Sequence, residues 1–131
     1  MVGEMQLHSQ EGGRLLDALR GVCARLPEVR ELIDGFGHTT FKVGKKSFVI
    51  AGMGQTGAAV SIKADPVTQD ALVRRGPYYR TPYIGQHGWV SIEDPLAHDW
   101  PAVQELIVDA YRLAAPKRLA RRIGDVPQER W

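Results

Sequence analysis

The nitrogen and thiolate ligands that this 131-residue chain could offer a transition metal are four histidines, His8, His38, His87 and His98, and a lone Cys23. No two of them stand at the short, regular separations that set ligands around one ion, so neither a metal nor a cofactor is expected. Cys23 falls on an apolar stripe and reads as core filling rather than as a nucleophile. Gly52-x-Gly54-x-x-Gly57 matches the dinucleotide-binding fingerprint letter by letter. That chemistry needs a helix N-terminus aimed at a pyrophosphate and an acid about 20 residues further on. Here a strand-like run, Ala58 to Ala64, follows instead, and the glycines read as a hairpin connection. No nucleophile sits in a recognisable elbow and no carboxylate pair is spaced for acid–base work, so the chain is not expected to be an enzyme. If a pocket for a small ligand or substrate forms, the stretch holding Tyr78, Tyr79, Tyr83, His87 and Trp89 is where it is expected.

The cations carry a second kind of chemistry. Lys42 precedes a turn at Gly44-Lys45-Lys46, and a β-ribbon with lysines at its tip can reach phosphates. Lys117-Arg118-x-x-Arg121-Arg122 would form one basic face if helical. The net charge of +2 conceals a segmented pattern. Residues 36–92 hold seven basic side chains (Lys42, Lys45, Lys46, Lys63, Arg74, Arg75, Arg80) against two acidic, whereas residues 93–111 hold five acids and no base. Residues 1–35 carry four basic and six acidic groups, and residues 112–131 six basic and two acidic. Local clustering sets the surface potential more than the total does. The basic middle therefore either faces an anionic partner or is neutralised against the acidic segments.

The elements that must position these groups follow from periodicity. Leu15, Leu16, Leu19, Val22, Cys23 and Leu26 make one helical stripe, with Ser9 as N-cap and Pro27 as stop. Val29 to Ile33 suits either a helical turn or a strand. Thr39, Phe41 and Val43 then alternate with Thr40 and Lys42, Ser47 to Ala51 is nearly all apolar, and Val60 and Ile62 alternate with Ser61 and Lys63. These three runs predict an antiparallel meander. Asp65-Pro66 starts a short helix with Val67, Ala71 and Leu72 inward, ending at Arg74-Arg75-Gly76-Pro77. Tyr78 to Ile84, interrupted by Pro82, reads as an edge strand or loop, and Trp89 to Ile92 as a strand. Asp99 caps a last long helix whose stripe is Val103, Leu106, Ile107, Ala110, Leu113 and Ala114.

The result is an α+β domain over residues 1–115: an antiparallel sheet of about five strands, N- and C-terminal helices packed on it and a short helix between strands. Residues 116–131 follow as a basic C-terminal tail, a short helix or disordered. With 44% hydrophobic and 24% charged residues the chain reads as soluble and globular. Its longest strictly apolar run, Phe48 to Ala51, is far below the roughly 20 residues of a membrane span. A single cysteine and an N-terminus without an apolar h-region lead us to expect a cytoplasmic protein.

Taken in order, several stretches resemble the MmcQ/YjbR family: Leu26-Pro27-Glu28-Val29, then Gly37-His38-x-Thr40-Phe41-Lys42-Val43-Gly44-Lys45-Lys46-x-Phe48, and Val60-Ser61-Ile62-Lys63-x-Asp65-Pro66. Thr81-Pro82-Tyr83, Trp89-Val90 and Ala110-Tyr111-Arg112-Leu113 continue the match over roughly residues 10–115. Two positions depart: Thr39 stands where the family usually has proline, and Gly88 separates His87 from Trp89. The resemblance implies a sandwich similar to secretion-chaperone-like and frataxin-like folds, and a DNA-binding role through two β-hairpin wings. On that reading Lys42, Lys45 and Lys46 serve the first wing, Arg80, His87 and the Trp89 neighbourhood the second, and Lys63, Arg74 and Arg75 flank them. Two other readings stay open: a protein-interaction module of the chaperone kind, and a small-ligand binder or enzyme using a pocket of Tyr78, Tyr83, His87 and Trp89. No membrane partner is expected.

Overall fold

A computed structural model describes residues 10–54 and 57–124. Its elements are α1 (Gln10–Cys23), β1 (Arg30–Ile33), β2 (Thr39–Val43), β3 (Lys46–Met53), β4 (Ala58–Ile62), α2 (Pro66–Arg75), β5 (Tyr79–Arg80), β6 (Val90–Glu93), α3 (Trp100–Ala114) and α4 (Lys117–Ile123). The six strands form one sheet in the order β1-β2-β3-β4-β6-β5, with every pairing antiparallel. The fold is α+β, as the residue pattern requires. The expected N-cap Ser9 and the tail beyond residue 124 lie outside the described residues.

Alternation sorts the strands into two faces. Phe41, Val43, Val49, Ala51, Val60, Ile62, Val90 and Ile92 are buried beneath α1 and α3 in a single core. Leu15, Leu16, Leu19, Val22 and Cys23 of α1 enter it, and so do Val103, Ile107, Ala110 and Tyr111 of α3. A bulge interrupts the β2–β3 ladder. Phe41 pairs with Val49 and Lys42 with Ser47, which leaves Phe48 as the extra residue. Its ring is fully buried and meets Tyr111 edge-on, 5.7 Å between centroids. The Tyr111 hydroxyl donates to the Pro27 carbonyl at 2.8 Å, tying α3 to the chain that leaves α1.

Four features differ from the expectation. The sheet has six strands rather than about five, because Arg30–Ile33 is a strand paired along β2. Its burial is low throughout, as an edge strand carrying Arg30 and Glu31 permits. In α2 the inward residues are Gln69 and Leu72, while Val67 is 81% exposed and Ala71 faces solvent. Gln69 turns inward because its amide nitrogen donates to the Gly85 and Trp89 carbonyls, at 2.6 and 2.9 Å. In α3 the inward face carries Val108 and Tyr111 and leaves Leu113 half-exposed. The caps agree: Asp65 accepts from Thr68 N and Asp99 from Ala102 N. Beyond Pro116, α4 sends Leu119 into the same core, 1% exposed.

The glycine inserted between His87 and Trp89 has a structural reason. Gly88 closes the short turn Gly85–His87 at φ 98, and a Cβ there would collide with the Ala64 carbonyl oxygen. Gly88→Ala is therefore expected to destabilise the fold by about 3 kcal/mol or more, through backbone strain and overlap together. Gly21, within α1 with nothing near its missing Cβ, is the matched contrast. Gly21→Ala is expected to stabilise by about 0.5–1 kcal/mol, both changes being read by urea denaturation.

The acid limb of stability has named sources. Glu31 accepts two bonds from Arg20, at 2.8 and 2.7 Å, and these hold its carboxyl below the usual range. Asp65 is held low by the Thr68 amide. Both folded-state values lie below the unfolded ones, so the stability they add is present above the ordinary carboxylate range and lost as pH falls through the folded values. The urea midpoint should drop between about pH 5 and 3, and Glu31→Gln should flatten part of that drop. The pair is solvent-exposed, so its share stays within about 1 kcal/mol.

Candidate functional site

Strand register gives the sheet two chemically different ends. At one, β2 ends at Lys42-Val43, β3 starts at Lys46, β4 ends at Ile62, β5 ends at Arg80 and β6 starts at Val90. At the other lie Asp34 after β1, Glu93 at the close of β6, and Asp94. The first end therefore gathers Lys42, Lys45, Lys46, Lys63, Arg80 and His87. Two cationic groups not among the expected contacts join it. Arg30 pairs with Lys42 across β1–β2 and donates to the Gly44 carbonyl. Pro116 sits against Gly44, in contact range of a Cβ placed there, and so brings the start of α4 with Lys117 and Arg118 beside the β2–β3 turn. Only the tertiary contact reveals this, since the two segments are far apart in the chain.

These cations differ in how they are engaged. Lys45 and Lys46 are exposed, and no ion pair among the described residues involves either of them or Lys42. Lys63 donates to the His87 carbonyl, and Arg80 donates to Gln69 Oε1 at 2.9 Å. Arg118 lies 3.4 Å from Glu28, both largely exposed. Arg74 and Arg75 are elsewhere: α2 starts beside Lys63 and ends beside Tyr78, so they occupy the far end, where Arg74 pairs with Asp70 at 3.0 Å. Trp89, 8% exposed, is part of the interior.

The aromatic residues expected to form one pocket do not converge. Tyr78 lies in a shallow cleft with Arg75, His98 and Asp99. Tyr83, 96% exposed, borders a different feature, a groove of about 650 Å³ on the face of the sheet away from α1 and α3. Its floor is Ile50, Gly52, Ala59, Ser61 and Ser91, and its two sides are the loop with Asp34, Phe36 and His38 and the segment from Thr81 to Ile84. The alternation of Thr40, Ile50, Ser61 and Ser91 on the face away from the core is the sequence signal for this floor. The loop that walls it is placed only by the fold.

A hydrogen-bonded row crosses the groove. Ser91 Oγ lies 2.7 Å from Ser61 Oγ and 2.8 Å from Thr81 Oγ1, and the Ser91 hydroxyl also bonds the Tyr79 oxygen. Tyr79 in turn donates to Glu93 Oε2 at 2.6 Å. Burial first, and the Glu93 carboxylate second, push the Tyr79 phenol up to about 12. On the opposite side Asp34 Oδ1 accepts from the backbone of Phe36 and His38, at 2.8 and 3.0 Å. Burial alone would raise Asp34, but those bonds outweigh it and leave its carboxyl lower than usual.

The glycines of the literal dinucleotide fingerprint have other work. A Cβ on Gly52 would stand 2.6 Å from the His38 ring, one on Gly54 would overlap the Glu93 carboxylate, and one on Gly57 would lie 2.8 Å from Glu11. Each glycine clears a side chain of this protein, and the connection closes as a hairpin with Gly54 N bonded to Gly57 O. Burial raises the Cys23 thiol to about 12, so it stays protonated within the core. Among the described residues no three His, Cys, Asp or Glu side chains stand together as a metal site.

Comparison with known proteins agrees with this fold. No curated protein matches the chain. A crystal structure of Deinococcus radiodurans protein DR2400, a DUF419-domain protein, superposes with a TM-score of 0.68 at 24% identity, covering 83% of this chain and 87% of that one. The model of the YjbR family matches residues 24–113, from the end of α1 through nearly all of α3, and the chain belongs to that family.

Proposed function

We propose that this protein binds nucleic acid without catalysis, in the form of duplex DNA, through the basic end of its sheet. The observation that carries the reading is the seating of the β2–β3 turn on Pro116. It joins Lys42, Lys45 and Lys46 to Lys117 and Arg118 in one basic cluster, with Glu28 paired to Arg118 at its margin and Asp34, Glu93 and Asp94 at the opposite end of the sheet. A patch of one sign attracts phosphates and releases their counterions, which yields affinity with weak sequence preference.

Geometry supplies a second support. The β2–β3 turn and the connection from β5 to β6 leave the sheet at the same end, with β4 between the two hairpins. Their axes are three strand spacings apart, roughly 14 Å, a span comparable with the ~12 Å width of a major groove. Lys45 and Lys46 would touch phosphates from the first projection, with Lys42 behind them, and Arg80 and His87 from the second. Arg74 and Arg75 fall outside this surface.

With about four phosphates neutralised, log K against log salt should fall with a slope near −3.6 for labelled duplex. Lys45→Glu with Lys46→Glu should weaken binding about tenfold or more and reduce the slope to about −1.8. Arg74→Gln with Arg75→Gln should leave both unchanged. Absence of binding at low salt, or an affinity indifferent to salt, would sink the reading.

A further inference from the structure

We propose that the groove on the open face of the sheet binds a small aromatic cation, a flat ring carrying a protonated amine. Its volume of about 650 Å³ is that of a small-ligand site, and its floor of Gly52, Ala59, Ser61 and Ser91 is low enough to admit a ring. This surface shares the β5–β6 connection with the basic end of the sheet, but no lysine or arginine among the described residues lines it, and it needs no nucleic acid.

Proton accounting defines the chemistry of the floor. An ionised carboxylate only accepts, so the single Tyr79 proton is committed to Glu93. The Tyr79 oxygen accepts from Ser91, and the Ser91 proton is thereby used. Ser91 Oγ is shared with Ser61 and Thr81 at 2.7 and 2.8 Å, and with Ser91 turned toward Tyr79 both of these hydroxyls point their protons at it. What Ser61 and Thr81 have left for a ligand is lone pairs. A molecule lying there must donate hydrogen bonds, as an ammonium does.

The walls select the same class. Asp34 is the carboxylate on one side, and among the described residues no lysine or arginine lines the groove. Phe36 and Tyr83 flank it from opposite edges of the sheet, 81% and 96% exposed. Two aromatic faces left in water beside an electronegative floor are the surroundings in which a ring stacks and a cation is held by π-electrons. Tyr83 keeps φ at 69, a backbone state that bulky residues rarely adopt and that clusters at ligand clamps.

The test uses three molecules with one ring system and different charge: tryptamine, the neutral alcohol tryptophol, and indole acetate. Each is titrated into the isotope-labelled full chain and followed by amide chemical shifts. Tryptamine should shift the amides of Phe36, His38, Ser61 and Tyr83 and saturate as one site. Tryptophol should bind about tenfold more weakly, and indole acetate should leave those amides unmoved at the same concentration. Phe36→Ala and Tyr83→Ala, both on exposed side chains and so harmless to folding, should each weaken tryptamine about fivefold. Equal binding of all three compounds overturns the proposal. So do shifts outside the groove, rim variants without effect, or no binding at all, as when a second copy or the chain's own ends already fill the face.

Discussion

The edge-on contact of Phe48 with Tyr111 is the interaction on which the remaining architecture rests. It is fully buried, it joins the bulged strand β3 to the last long helix, and the Tyr111 hydroxyl extends it to Pro27. The bulge sends two consecutive side chains, Phe48 and Val49, into the core. A bulge also increases the local right-handed twist of its strand. Both long helices are consumed on that one face, with α2 lying against the β5–β6 edge instead. Among the described residues no helix covers the opposite face, and the groove lies there.

Charge is then arranged by register rather than by composition. A sequence with a net charge of only +2 places its hairpin lysines beside the start of α4, and Asp34, Glu93 and Asp94 at the other end of the strands. Five to eight strand residues separate the ends, roughly 17–26 Å at about 3.3 Å per residue. That exceeds the Debye length of about 8 Å at physiological salt, so the hairpin lysines are screened from Asp34, Glu93 and Asp94. Among the described residues Lys42, Lys45 and Lys46 enter no ion pair, and Glu28, the acid that does reach this end, pairs with Arg118.

Much of this was legible in the residues and some of it was not. Strong periodicity located α1, β2 to β4 and α3, and Asp65 and Asp99 marked two helix starts through their side-chain chemistry. The edge strand β1 was ambiguous because all four of its residues are exposed, so no face is hydrophobic enough to declare a period. In α2 the inward glutamine defeats any rule that sends valine inside, since its value lies in two carbonyls from a distant segment. The site was half legible. Lysines at a hairpin tip can be read locally, but Pro116 against Gly44 is a long-range contact that no window contains. The expected Tyr78–Tyr83–His87–Trp89 pocket dissolved for a related reason: a left-handed residue at 83 and a turn at residues 85–88 send neighbouring side chains to different surfaces.

The two surfaces are chemically incompatible with a shared ligand, and this follows from the direction of their hydrogen bonds. The basic end offers ammonium and guanidinium donors, so it suits phosphate oxygens. The groove offers hydroxyl oxygens already bonded to one another, the Asp34 carboxylate and aromatic faces. A polyanion entering the groove would meet Asp34, which already lies 3.4 Å from the His38 ring, and among the described residues no lysine or arginine lines the groove to offset its desolvation. Conversely, a small cation at the hairpin tips would face Lys45 and Lys46. One sheet thus carries two sites of opposite polarity because its two ends and its two faces are defined independently, the ends by register and the faces by alternation.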